Sequence, residues 1–149
     1  MTQRKNPKLF NLKRFPMDMA RLICAPLLLV YRMKRLTPEG KPYKNKIRGG
    51  AILAANHNTF SDTFLVGVAV WYRRMFFLAA EVVMRSKLRN WLLRGVGAIR
   101  IDRNITDTKA IKDCVAVLKD GFALELFPQG GIGEDENAFK SGISLIASL

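Results

Sequence analysis

The single histidine of the chain, His57, stands five residues before Asp62, at the exit of the apolar run Ala51-Ile52-Leu53-Ala54-Ala55. An imidazole is the natural acceptor of a hydroxyl proton at neutral pH. A carboxylate beside it fixes the tautomer and stabilises the imidazolium that forms. Such a pair could deprotonate an alcohol directly, and the alkoxide-like oxygen would attack a thioester without a serine or cysteine nucleophile. By itself the spacing also fits a histidine satisfied by local hydrogen bonds.

Two further segments carry residue types suited to anions. Arg103 closes a second apolar run, Ala98 to Ile101, and a guanidinium there is suited to bidentate capture of a phosphate. The plainer alternative is a surface arginine paired with Asp102 or Asp107. In the third segment, Gly130 and Gly131 follow Phe127-Pro128-Gln129. Glycines permit close backbone approach and free N–H groups for an anion or oxyanion, and they also make ordinary turns. One histidine excludes a histidine-rich metal site, and Cys24 and Cys114 are too few and too distant for a disulfide framework or a metal knuckle. They read as small buried hydrophobes of a reducing compartment.

Positioning these groups requires rigid elements, and the apolar periodicity supplies them. Strands are expected at Gly50–Ala55, Met75–Ala80, Ala98–Ile101 and Phe122–Phe127. Helices are expected at Asp62–Tyr72 with Ser61 or Asp62 as N-cap, at Glu81–Val96 and at Asp107–Lys119. A loop over 128–137 precedes a last helix beginning near Gly142. The alternation predicts an α/β fold with a mainly parallel sheet flanked by helices. In that architecture functional groups gather at the carboxyl ends of the strands. Three such exits carry the chemical residues named above.

Charge divides the chain. The net charge is +13, and residues 1–50 hold thirteen basic and two acidic side chains, leaving 51–149 near balance. A basic segment beside a neutral domain suits a polyanionic surface, either anionic lipid or nucleic acid. Residues 1–16 read as a loose arm, and 17–35 as a helical segment kinked at Pro26. Its apolar run Leu22–Tyr31 is far shorter than the roughly 20 residues that span a bilayer. Arg21 before it and Arg32 and Lys34 after it show no topogenic asymmetry. An interfacial segment is expected, apolar side in lipid and cations on head groups, with a buried core helix as the alternative. Turn chemistry at Thr37–Pro42 marks the linker between a segment 1–40 and a domain 45–149. No helix-turn-helix, zinc set or stacking platform accompanies the charge, so nucleic acid is not the expected partner.

Asn56-His57-x-Thr59-x-x-Asp62, Gly97-x-Ile99-x-Ile101-Asp102-Arg103 and Phe127-Pro128-x-Gly130 together resemble three signature blocks of the glycerolipid acyltransferases, the 1-acylglycerol-3-phosphate acyltransferase family. Their order and gaps, about forty and then about twenty-five residues, are similar too, as is Phe139-Lys140-x-Gly142 beyond them. The resemblance implies a glycerol-3-phosphate acyltransferase-like fold over 45–149. It implies His57 as general base, Asp62 as its orienting partner and Arg103 on the acceptor phosphate. Pro128, Gln129, Gly130 and Gly131 would line the acceptor site. The acyl donor would be a thioester of coenzyme A or acyl carrier protein, the acceptor a lysophospholipid, with no metal or tightly bound cofactor. The location would be the cytoplasmic face of a membrane rich in anionic lipid, held peripherally or monotopically.

Two departures sit in the third block. Gln129 replaces the family's glutamate, keeping its shape and losing its charge. Gly131 and Ile132 replace a threonine and an arginine, so a second phosphate-binding cation is missing and a phosphate-bearing acceptor is less securely implied than acyl transfer. The family continues past this point with a further strand and a fourth block, so a chain ending at Leu149 is expected to be C-terminally truncated. A non-catalytic or inactive truncated membrane-binding module is therefore the alternative to an active enzyme.

Overall fold

The computed structural model describes residues 15–32, 34, 36–43, 45–57, 59, 61–128 and 146–148. The expected loop beyond Pro128 and the start of the last helix near Gly142 lie outside the described residues, while residues 146–148 are helical and Ile146 is buried in the core with Leu124 and Leu126. Two helices open the described chain, α1 (Phe15–Cys24) and α2 (Leu27–Val30). They are separated at Ala25-Pro26, where proline's missing N–H and fixed φ interrupt the ladder. Then follow β1 (Ala51–Ala54), α3 (Asp62–Ala69), β2 (Met75–Ala80), a 3₁₀ turn (Glu81–Met84), α4 (Lys87–Gly95), β3 (Ala98–Ile101), α5 (Thr108–Lys119) and β4 (Ala123–Leu126).

The four strands form a sheet in the order β1-β4-β2-β3, parallel throughout. The α/β fold expected from the sequence is therefore the fold observed. β4 lies between β1 and β2 and all four of its residues are buried, as continuous apolar strands of parallel sheets are. Because β3 to β4 reverses the direction of the preceding crossovers, a right-handed connection carries α5 to the opposite face from α3. The packing agrees. Leu124 and Leu126 meet Ala110 and Cys114 of α5, whereas Ala123 meets Val66 and Val70 on the α3 side. Glu125 alternates with its neighbours and so faces the α3 side as well.

Strand starts are tied by Arg73, whose guanidinium donates to the carbonyls of Gly49 and, at 2.8 Å, Gly121. Burial lowers its pKa from the ordinary arginine value. Next to it, Arg74 forms a two-pronged ion pair with Asp18 of α1, Nη2 to Oδ2 at 2.7 Å and Nε to Oδ1 at 3.2 Å. That pair, with Met17 buried, docks α1 on the domain, against α3 and α4. Gly97 turns the chain into β3 at φ +101°, and a Cβ there would stand 2.5 Å from the Met17 side chain. Only glycine meets both demands.

One expected helix is divided. Glu81–Val96 becomes the 3₁₀ turn and α4, because Ser86 is extended (ψ 134°). The paired β-branched residues Val82 and Val83 resist an α-helical turn. Met84, almost fully buried, anchors the 3₁₀ turn before the chain restarts. Helix α3 stops at Ala69, short of Tyr72, whose hydroxyl instead accepts the N–H of Ile47 at 3.2 Å.

Candidate active site

Parallel register brings the first and third blocks together. Ala54 pairs with Leu126, and Ala55 N–H donates to the Leu126 carbonyl at 3.2 Å, so both chains leave the sheet side by side. The His57 ring then stacks on Phe127, centroids 4.0 Å apart and planes 20° from parallel. Stacking fixes the imidazole plane, and Asp62 addresses one of its nitrogens. Nδ1 of His57 lies 3.4 Å from Oδ2 of Asp62, both side chains being largely shielded from solvent.

Asp62 reaches that position through the loop. Ser61 occupies the N-cap of α3 and makes no side-chain cap bond; its hydroxyl is 2.8 Å from Thr59 Oγ1. Thr59 donates its backbone N–H to Asp62 Oδ2 at 2.7 Å and its hydroxyl to Oδ1 at 2.8 Å. The carboxylate that a helix start would ordinarily spend on its own N–H groups is thus turned back onto the loop and the imidazole. A proton held on Nδ1, the nitrogen facing the carboxylate, would make Nε2 the proton-accepting nitrogen of the ring.

A cavity of about 190 Å³ opens at these strand ends, lined by His57, Phe64, Leu78, Arg103, Glu125 and Phe127 among others. Arg103 is therefore brought to the same cavity as His57, across the two intervening strands β4 and β2. Asp107, its expected competitor for an ion pair, caps α5 by accepting Ala110 N–H at 2.9 Å and also accepts Asp102 N–H at 3.1 Å. Those bonds lower its pKa from the ordinary carboxylate value, Ala110 contributing most. Arg100 pairs with Glu81 at 3.5 Å, half exposed. Pro128 is partly buried beyond Phe127 and does not line the cavity, while Gln129, Gly130 and Gly131 lie outside the described residues. Among the described residues no cluster of histidine, cysteine and acidic side chains could hold a metal.

Sequence reasoning passed over three contributors. Thr59 was legible only as a motif position, and Phe127 as the start of a block, not as the ring under His57. Glu125 escaped attention inside a strand read as apolar, although one acid between Leu124 and Leu126 is a signal in itself. It is fully buried in the cavity wall, and burial, reinforced by the charge of Asp62, pushes its carboxyl up to about 9. At neutral pH it holds its proton and can donate a hydrogen bond.

The family model described as Acyltransferase matches residues 33–147, most of the chain. The chain belongs to the Acyltransferase family. Two curated relatives carry the name 1-acyl-sn-glycerol-3-phosphate acyltransferase. That of Streptococcus pneumoniae is 32% identical over 99 residues, covering 66% of this chain and 37% of the relative. That of Bacillus subtilis is 24% identical over 100 residues, covering 67% of this chain and 50% of the relative. The chain thus spans half or less of the relatives' length. No solved structure matches it significantly.

Proposed function

We propose that the protein transfers a fatty acyl group from a thioester of coenzyme A or acyl carrier protein to the hydroxyl of a lysophosphatidate or related glycerolipid. The observation that carries this reading is the His57–Asp62 pair, set over a cavity that also contains Arg103, in a chain of the Acyltransferase family. Nε2 of His57 takes the acceptor's hydroxyl proton as the oxygen attacks the thioester carbonyl. The C–O bond forms, the C–S bond breaks, and the thiolate leaves with a proton returned from the imidazolium. Asp62 holds the ring and offsets its transient positive charge. Arg103 supplies a cation for the acceptor phosphate.

Exposed apolar side chains support work at a lipid surface. Leu22 and Ile23 on α1, Leu29 and Val30 on α2, and Leu88, Trp91 and Leu92 on α4 all face solvent. Arg32 and Lys34 follow α2 in the chain, and Arg85, Lys87, Arg89 and Arg94 lie in or just before α4, all of them exposed. Exposed apolar anchors with cations close to them in sequence suit an anionic bilayer, at the cytoplasmic face where acyl thioesters are available. No helix among the described residues is long and apolar enough to cross a membrane. The test is direct: purified protein, phosphatidylglycerol vesicles, lysophosphatidate and radiolabelled acyl-CoA should yield phosphatidate. Vesicle binding without product from any acyl donor would favour a non-catalytic membrane module instead.

A further inference from the structure

Glu125 sits where a carboxyl has no structural reason to be. It is fully buried at the centre of the sheet, registered between the apolar residues Leu53 of β1 and Phe77 of β2. Neither carboxyl oxygen makes a hydrogen bond among the described residues. A buried polar group without a partner is costly, and a leucine would fill the strand position at no such cost. The side chain nevertheless lines the cavity of His57 and Arg103, as its one acid among the described residues.

Its depth can be placed along the strand. Phe127, beneath the His57 ring, lies two residues further on and faces the same side. At a rise of ~3.3 Å per residue, Glu125 stands roughly 7 Å deeper than Phe127. Phe77, Leu78, Val83 and Ile101 make the surrounding wall apolar. A substrate whose reacting carbon meets His57 would therefore run alkyl carbons along an apolar wall and pass one hydrogen-bonding group within its first few bonds.

We propose that Glu125 is a specificity subsite that binds a hydroxyl carried close to the reacting centre of the substrate. The inference rests on the acyl-transfer reading of the same cavity. The hydroxyl is one carried by the acyl donor, as on a 3-hydroxyacyl thioester, because the free glycerol hydroxyl of the acceptor is the group whose proton His57 takes. On such a donor the carboxyl makes the hydrogen bond it lacks among the described residues, and a substrate without the hydroxyl leaves it unsatisfied. Discrimination of about tenfold or more is expected from one such buried bond.

Binding without turnover decides it. Calorimetric titration of the full chain compares 3-hydroxytetradecanoyl-CoA with tetradecanoyl-CoA in the absence of acceptor. The expected result is a preference of about tenfold for the hydroxylated donor. That preference should disappear in Glu125→Leu and survive in part in Glu125→Gln, a near-isosteric change that guards against loss of folding. Equal binding of the two donors by the wild type, or a preference unchanged in either variant, overturns the proposal while leaving acyl transfer standing. Failure of the wild type to bind either donor overturns both.

Discussion

Oδ2 of Asp62 stands 3.4 Å from Nδ1 of His57, and the same oxygen accepts the Thr59 backbone N–H at 2.7 Å. The acid is therefore positioned by the loop before it meets the imidazole. Asp62→Asn should lower kcat by roughly 10²–10⁴-fold, because an amide donates to Nδ1 and favours the wrong tautomer. Thr59→Ala removes the hydroxyl bond and keeps the backbone one, so a smaller loss of about tenfold is expected. Steady-state kinetics with both variants check the order. A larger loss in the Thr59 variant than in the Asp62 variant would contradict it.

Glu125 makes stability depend on pH. Its folded value of about 9 lies above the ordinary 4.5, so the native state keeps a proton that the unfolded state releases. Linkage then gives full stability below about 4.5, a decline as pH rises through the interval, and a level floor above about 9. Glu125→Gln lacks this dependence. Urea midpoints of the two proteins should diverge from pH 5 to pH 8, with the variant gaining. Parallel midpoints would mean that the carboxyl ionises freely in the fold.

The ion pair between Arg74 and Asp18 holds α1 to the domain across 56 residues of sequence. Arg74 is buried, so removing Asp18 takes away the carboxylate that offsets its charge. Asp18→Ala should cost ~3–5 kcal/mol in urea unfolding, and the double change Asp18→Leu with Arg74→Met much less. Equal losses would show that packing, not the pair, fixes the helix.

Trp91 and Leu88 of α4 are about two-thirds exposed, on a helix that packs against α1. Replacing both with alanine should weaken binding to phosphatidylglycerol vesicles by tenfold or more in sedimentation assays. Binding should also fall as salt rises, since the flanking cations are screened. An unchanged partition coefficient would remove α4 from the lipid-facing surface.

Much of this was legible in the sequence. β2 runs from Met75 to Ala80 and β3 from Ala98 to Ile101, the bounds that their apolar runs predict. Strand exits announced where His57 and Arg103 would meet, since a parallel sheet gathers its carboxyl ends. What could not be read is tertiary. Nothing local predicts that Arg74 finds Asp18, or that Asp62 bonds back to Thr59 rather than capping α3. Glu125 was hidden because alternation says which face a strand residue takes, not whether helix or cavity covers it.

The central claim is that His57 is the base of acyl transfer. Its direct test is the initial rate of phosphatidate formation from lysophosphatidate and acyl-CoA on anionic vesicles, wild type against His57→Ala, with vesicle binding and thermal stability measured in parallel. The structure predicts a loss of at least about 10²-fold in kcat with binding and melting preserved. Equal rates in the two proteins would contradict it.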